Sequence, residues 1–330
     1  KEEFYDSPYD GEIAYMDFYV GKTIEKLKEK GIFQKTLIIL AGDHGEAFGE
    51  NGESDHGLFL YNSTLKVPLV FYAENKIPSG LEILSSVRLI DIMPSILDML
   101  GVEVPDKVQG TSLLPYIDSQ KKESLPSYIE TVYPKEYYGW SELSGLVEKE
   151  WKYIRAPKPE LYNLLEDPEE KNNLFFVKKE IADDMSKNLD RVIQEYALVV
   201  DVQTRKLSLE EQERLRSLGY LGGATNENRS ETELPDPKDK LEEFSLIHQA
   251  RMATSLGEFE EAAEKYRRIL EFNPDVPWNY VNLAVNLNNL KKSEAAIHIL
   301  EQGLNRVPES FVLLSRLGHF YLRAGNFEKA

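Results

Sequence analysis

Asp43 and His44 stand side by side just past a short apolar run, Thr36-Leu37-Ile38-Ile39-Leu40-Ala41. A carboxylate and an imidazole placed where the chain leaves a sheet can both turn toward one cation, because strand alternation no longer forces neighbours apart. Gly42 and Gly45 flank the pair and let the backbone bend there. A solvated strand end, with Asp43 capping a turn and His44 exposed, is the plainer use of the same residues. His56-Gly57 follows after a glycine-rich acidic loop, and the first 240 residues hold no other histidine. The loop's Glu46, Glu50, Glu53 and Asp55 lack the residue order of an EF-hand and read as a solvated acidic loop. Lys66 could face a substrate or lie on an exposed strand edge. Cysteine is absent, which excludes disulfides, cysteine metal sites and thiol nucleophiles within these residues.

The elements that must position these groups follow from hydrophobic spacing. Ile13, Met16, Val20, Ile24 and Leu27 recur every three or four residues, which predicts an amphipathic helix from Gly11 to Gly31 with a core-facing stripe. The run Thr36 to Ala41 predicts a short strand of the kind buried in a parallel sheet, with Asp43 and His44 past its C-terminal end. Lys66 to Tyr72 predicts a second strand, and Val87 to Leu100 a helix stopped by Gly101. Helix, strand, loop, strand, helix is the order of an α/β layered sandwich. Between about Lys121 and Gly223 the pattern changes to short aromatic strands and a helical run from about Val177 to Tyr196, a small α+β subdomain. Its Tyr137-Tyr138-Gly139-Trp140 could line a pocket, with core packing the commoner use of such a cluster.

Residues 224–240 are polar, contain two prolines and read as a linker. Beyond them the sequence repeats at an offset of 34 residues: Ala262, Ala296 and Ala330 align, as do Pro274 and Pro308, and Leu246, Tyr280 and Leu314. Small residues at a tight helix crossing and proline closing the unit resemble the tetratricopeptide (TPR) pattern, an all-α solenoid whose groove suits a protein or peptide partner. His248, His298 and His319 lie too far apart along these helices to suggest one metal site. The chain carries 57 acidic against 39 basic residues, a net charge of −18 that repels nucleic acid. No apolar run reaches the length of a membrane span, and membrane association stays open.

Taken in order, Gly42 to Glu50 (Gly-Asp-His-Gly-Glu-Ala-Phe-Gly-Glu), His56 to Tyr61 (His-Gly-Leu-Phe-Leu-Tyr) and Val67 to Val70 (Val-Pro-Leu-Val) resemble the sulfatase family of the alkaline-phosphatase superfamily. Tyr9 to Asp17, Asp91 to Leu114 and Glu160 to Leu174 agree with it, so the resemblance covers roughly residues 5–222. It implies a partial alkaline-phosphatase-like sandwich: the C-terminal half of the catalytic core over residues 1–120, a small α+β subdomain over 121–223, the linker at 224–240 and TPR repeats over 241–330, with the natural protein continuing past both ends. It also implies a divalent metal held by Asp43 and His44. Calcium is the first expectation, with manganese, magnesium or zinc left open because imidazole favours transition metals. His56 would contact the substrate oxyanion or the leaving oxygen, acting as a cation or as a proton donor. The family's nucleophile, a formylglycine made in a Cys/Ser-x-Pro-x-Arg motif, is not in this chain and is expected in an upstream half. The activity implied is hydrolysis of sulfate esters. The alternatives are a phosphodiester or phosphonate hydrolase of the same superfamily, favoured by histidine at 44 where many sulfatases carry asparagine, and a non-catalytic TPR scaffold. A bacterial or archaeal envelope or exported enzyme is the localisation that the resemblance suggests.

Overall fold

A computed structural model describes residues 8–118, 123–196, 234–308, 310–323 and 325–328. Residues 5–7 of the sulfatase-like stretch, residues 197–233 of the expected subdomain and linker, and Ala330 of the repeat lie outside the described residues. The chain divides into two compact units, one of residues 1–43 with 67–125 and the other of residues 44–66 with 126–330.

In the first unit the amphipathic pattern forms α1, Pro8–Glu29, which runs to Gly31 in the left-handed conformation that glycine adopts without strain. None of its residues is buried; Ile13 and Met16 are about half exposed. The stripe encodes a face able to be buried, but not what covers it. β1 (Ile38–Ala41) pairs with β2 (Leu69–Tyr72), and the pairing is antiparallel, with Ile38 opposite Tyr72 and Ala41 opposite Leu69. This corrects the parallel-sheet expectation. No residue of β1 is buried, which corrects the expected burial as well; an apolar run does not report strand direction, and here residues 42–68 return the chain beside β1, without the crossover helix that parallel pairing requires. The second strand also starts later than its pattern suggests. Asn62–Leu65 folds first into a helical turn, α2, whose Asn62 carbonyl accepts the Lys66 N–H.

The helix expected over Val87 to Leu100 is α3, Ile92–Met99, with Gly101 left-handed beyond it. Its start is set by Asp91, which is fully buried: the carboxylate accepts from the Arg88 backbone and guanidinium and from the Thr111 N–H, each at 2.8 Å. Ser95 Oγ accepts the Leu113 N–H at 2.9 Å, so the Gly110-Thr111-Ser112-Leu113 stretch is clasped to this helix. A Cβ on Gly110 would fall on the Ile90 carbonyl oxygen. α4 (Leu114–Ile117) follows.

In the second unit, β3 (Ser127–Thr131), β4 (Leu143–Glu148), β5 (Trp151–Arg155) and β6 (Glu160–Asn163) form an antiparallel meander in chain order, with α5 (Tyr133–Tyr138) between the first two. Alternation assigns its two faces. Leu146, Tyr153 and Leu161 point to one side and pack under Ala182, Met185 and Leu189 of α6 (Lys179–Tyr196). Leu143, Ile154 and Tyr162 point to the other, where they meet the buried segment Leu58 to Tyr61, Tyr138, Trp140 and helices from the C-terminal region.

That region holds α7 (Leu241–Leu256), α8 (Phe259–Phe272), α9 (Pro277–Asn289), α10 (Ser293–Arg306) and α11 (Phe311–Arg323). The alanines of the 34-residue offset are packed inside, Ala262 and Ala296 both fully buried; outside that pattern, a Cβ on Gly303 would lie 2.7 Å from the Tyr280 ring. The segment before α7 is anchored. Asp236 is buried and accepts the Lys158 N–H at 2.8 Å, and Lys238 pairs with Glu160 at 2.7 Å.

Candidate active site

The loop carrying His56 is built from its own carboxylates. Ala47 N–H donates to the Asp55 carbonyl (3.1 Å) and Gly49 N–H to the Glu53 carbonyl (2.7 Å), so the chain doubles back through Gly49, Asn51 and Gly52, all at positive φ. Glu46 thereby comes to face Asp55 and His56. Glu53 is the buried strut, its Oε1 accepting from Leu58 N–H at 2.6 Å and Phe59 N–H at 3.4 Å, while Oε2 makes no hydrogen bond. Burial pushes its carboxyl up to about 7, opposed by those two N–H bonds and reinforced by the charges of Asp55 and Glu46. The solvated acidic loop expected from sequence is therefore corrected at Glu53. Its acceptor oxygen meets the orphan N–H groups of the chain entering the core, which a carboxyl oxygen can do in a closed space.

His56 is partly exposed, and its Nδ1 lies 3.3 Å from Glu46 and 3.1 Å from Asp55, the latter also accepting the His56 backbone N–H at 3.0 Å. With two carboxylates beside it Nδ1 carries a proton. Donor atoms of Glu46, Asp55 and His56 lie within 4.8 Å of one another, a set that could also hold a cation. The His44 ring stacks on His56 with centroids 3.9 Å apart and 24° between planes. His44 Nδ1 is 2.8 Å from the Gly45 carbonyl, which fixes the proton there and points the lone pair to Nε2. That is the tautomer a metal-binding imidazole needs, so His44 fits the ligand role on this observation. Gly45 itself leaves no room for a side chain, since a Cβ would fall on the Ser63 carbonyl.

The far end of the segment is pinned to the meander. Lys152, fully buried on β5, pairs with Glu170 at 2.6 Å and donates to the Leu60 carbonyl (3.1 Å) and Asn62 Oδ1 (2.7 Å). Burial pulls its ammonium below the ordinary lysine value, opposed by the charge and hydrogen bond of Glu170. Tyr61 donates to Glu160 at 2.8 Å, and Glu160 also takes the Tyr162 hydroxyl at 2.5 Å.

Of the residues singled out in the sequence, His44 and His56 are brought together. Asp43 follows β1, exposed, in the first unit, and Lys66 is exposed after α2. Tyr138 and Trp140 are core, and Tyr137 is half-buried and stacks on Trp278 at 6.4 Å. Sequence reasoning missed Glu46 and Asp55 as partners of His56, and missed His248, whose Nδ1 is 3.9 Å from Asp55. Adjacency to His56 was a signal for Asp55; for Glu46 and His248 the approach exists only in three dimensions.

Residues 49–196 match the family model of the N-sulphoglucosamine sulphohydrolase C-terminal region. Among curated relatives, the chain is 30% identical over 194 residues to arylsulfatase K of Bos taurus, covering 54% of this chain and 35% of that one. It is 28% identical over 186 residues to an N-acetylglucosamine-6-O-sulfatase of Bacteroides thetaiotaomicron, covering 53% and 33%. The chain thus spans about a third of the length of the curated relatives it matches. The solved structure of yidJ of Bacteroides fragilis shares the fold with a TM-score of 0.51 at 20% identity, over 56% of this chain and 41% of that one. The family match and the curated relatives together support the sulfatase family for this chain.

Proposed function

We propose that the protein hydrolyses sulfate esters with the help of a divalent cation. The observation that carries this reading is the stacked pair His44 and His56, with the His56 Nδ1 held between Glu46 and Asp55, inside and next to the region that matches a sulphohydrolase. Asp43 and His44 are the proposed ligands from this chain. A cation there polarises a non-bridging ester oxygen and lowers the pKa of the nucleophile. Calcium is the first metal to test, then manganese, magnesium and zinc. As the imidazolium, with a proton on Nε2 as well as the one on Nδ1, His56 presents Nε2–H to the ester, giving that proton to the leaving oxygen or holding the developing oxyanion. Lys66 is proposed as a further substrate contact. The nucleophile, a formylglycine, is proposed to come from an upstream half. The name of the relative that removes sulfate from N-acetylglucosamine makes sulfated sugars the first substrates to try.

The C-terminal helices are proposed to be TPR repeats open to a protein or peptide. Supporting this are the 34-residue spacing, the buried Ala262 and Ala296, and the positive φ of Gly257 and Gly325 at equivalent turns.

The test is to express the complete gene together with the enzyme that makes formylglycine and to assay an aryl sulfate and a bis-aryl phosphate with and without chelator. Sulfate release that chelation stops, that Asp43→Ala abolishes and that His56→Ala lowers on the order of 10²–10⁴-fold in kcat supports the reading. Faster turnover of the phosphate diester selects the phosphodiesterase branch, and turnover of neither leaves a non-catalytic TPR scaffold.

A further inference from the structure

The C-terminal helices reach the loop that carries His56. α7 places His248 with Nδ1 3.9 Å from Asp55 Oδ2, while the other oxygen of that carboxylate is the one beside His56 Nδ1 at 3.1 Å. One turn further along the same face, Arg251 donates from Nη1 to the Tyr133 hydroxyl at 3.3 Å, and Asp55 lies within electrostatic reach of its guanidinium. Tyr133 is the floor under the loop: a Cβ on Gly57 would sit 3.8 Å from its ring, and Thr131, two residues before it, donates its hydroxyl to the Gly57 carbonyl at 2.6 Å. Gly52, at the loop's other bend, lies against Leu241, where an added Cβ would meet the leucine side chain at 2.8 Å. One helix therefore approaches the loop at two points, Leu241 at Gly52 and His248 at Asp55, and holds the floor beneath it through Arg251 at Tyr133.

We propose that His248 and Arg251 are positioning residues for the candidate site, the first holding Asp55 and the second holding Tyr133, so that the helical region fixes the direction in which His56 presents Nε2. The inference rests on the reading of His56 as a substrate-facing group. Asp55 would otherwise carry a charge balanced only by the imidazole it orients, and a second imidazole 3.9 Å behind the carboxylate, near enough for an ion pair though not for a direct hydrogen bond, favours one rotamer. The helical region is on this view part of the enzyme and not only an adaptor appended to it.

Two readouts test it in the complete protein. In the first, hydrogen exchange is followed by mass spectrometry in peptides spanning 53–60. His248→Leu and Arg251→Leu are expected to raise exchange there severalfold and to leave the β3 to β6 strands unchanged, while His248→Gln and Arg251→Lys, which keep a donor, behave as the parent. In the second, the Leu variants lower kcat on an aryl sulfate about tenfold with KM within twofold, and the donor-keeping variants recover most of it. Unchanged exchange in 53–60, or equal losses in the Leu and the donor-keeping variants, overturns the inference. If the parent protein releases no sulfate, the hydrolase reading fails, and the exchange readout alone decides whether α7 holds the loop.

Discussion

Glu53 couples the stability of the second unit to pH in a direction that can be worked out. Its folded value of about 7 lies above the ordinary 4.5, so between those limits the folded chain holds a proton that the unfolded chain has released. Stability therefore falls as pH rises from about 4.5 to about 7 and levels off above, by roughly 1–3 kcal/mol after allowance for relaxation. Glu53→Gln keeps an oxygen for the Leu58 and Phe59 N–H groups and removes the titration. Melting curves between pH 5 and 8 should show a gain for the variant at pH 8 that vanishes at pH 5, and a pH-independent difference would refute the assignment. At this scale the sequence displayed the chemistry but not its geometry. Asp43, His44 and His56 stand out by type and context, whereas Glu53 and Glu46 are two glutamates of one acidic loop. Only the hydrogen bonds from Ala47 and Gly49 send one inward and set the other beside His56. Lys66 illustrates the converse, since a lysine before a strand carries no sign of the helical turn that displaces it.

The elements that hold the loop make their own predictions. Removing one member of the Lys152 and Glu170 pair leaves a buried charge without its partner, so Lys152→Met should destabilise by about 3–5 kcal/mol in urea titration. The double change Lys152→Met with Glu170→Gln should cost less than the sum of the two single changes, and strict additivity would mean that the pair does not act as one. In the first unit, Gly110→Ala drives a methyl into the Ile90 carbonyl and should cost several kcal/mol through the clasp on α3. Periodicity made most of these elements legible: the helix ending at Gly31, the helix before Gly101, the aromatic strands and α6 were readable from spacing and glycine stops. Strand direction was not, because Thr36 to Ala41 looks the same whichever way its partner runs. The partner of the α1 stripe was not legible either.

For the chain as a whole, net charge opposes the approach of the proposed substrate. With −18 on this chain, an anionic ester approaches against the mean field, so kcat/KM should rise as salt is increased from roughly 10 to 150 mM, where the screening length shortens from about 30 to 8 Å. A fall with salt would point to a local cationic funnel overriding the net charge. The repeat offset made the helical region legible at this scale, while its use of Phe244 and Ile247 against the face of the meander, in one core with Tyr138 and Trp140, left no trace in the repeat pattern. Tyr138 meets Phe244 edge-on at 6.0 Å. That contact has a genealogical consequence. A lineage could exchange or multiply the later helices freely, but α7 would be inherited together with the Tyr133 to Trp140 stretch, and among related sequences substitutions at Phe244 should travel with compensating ones at Tyr138.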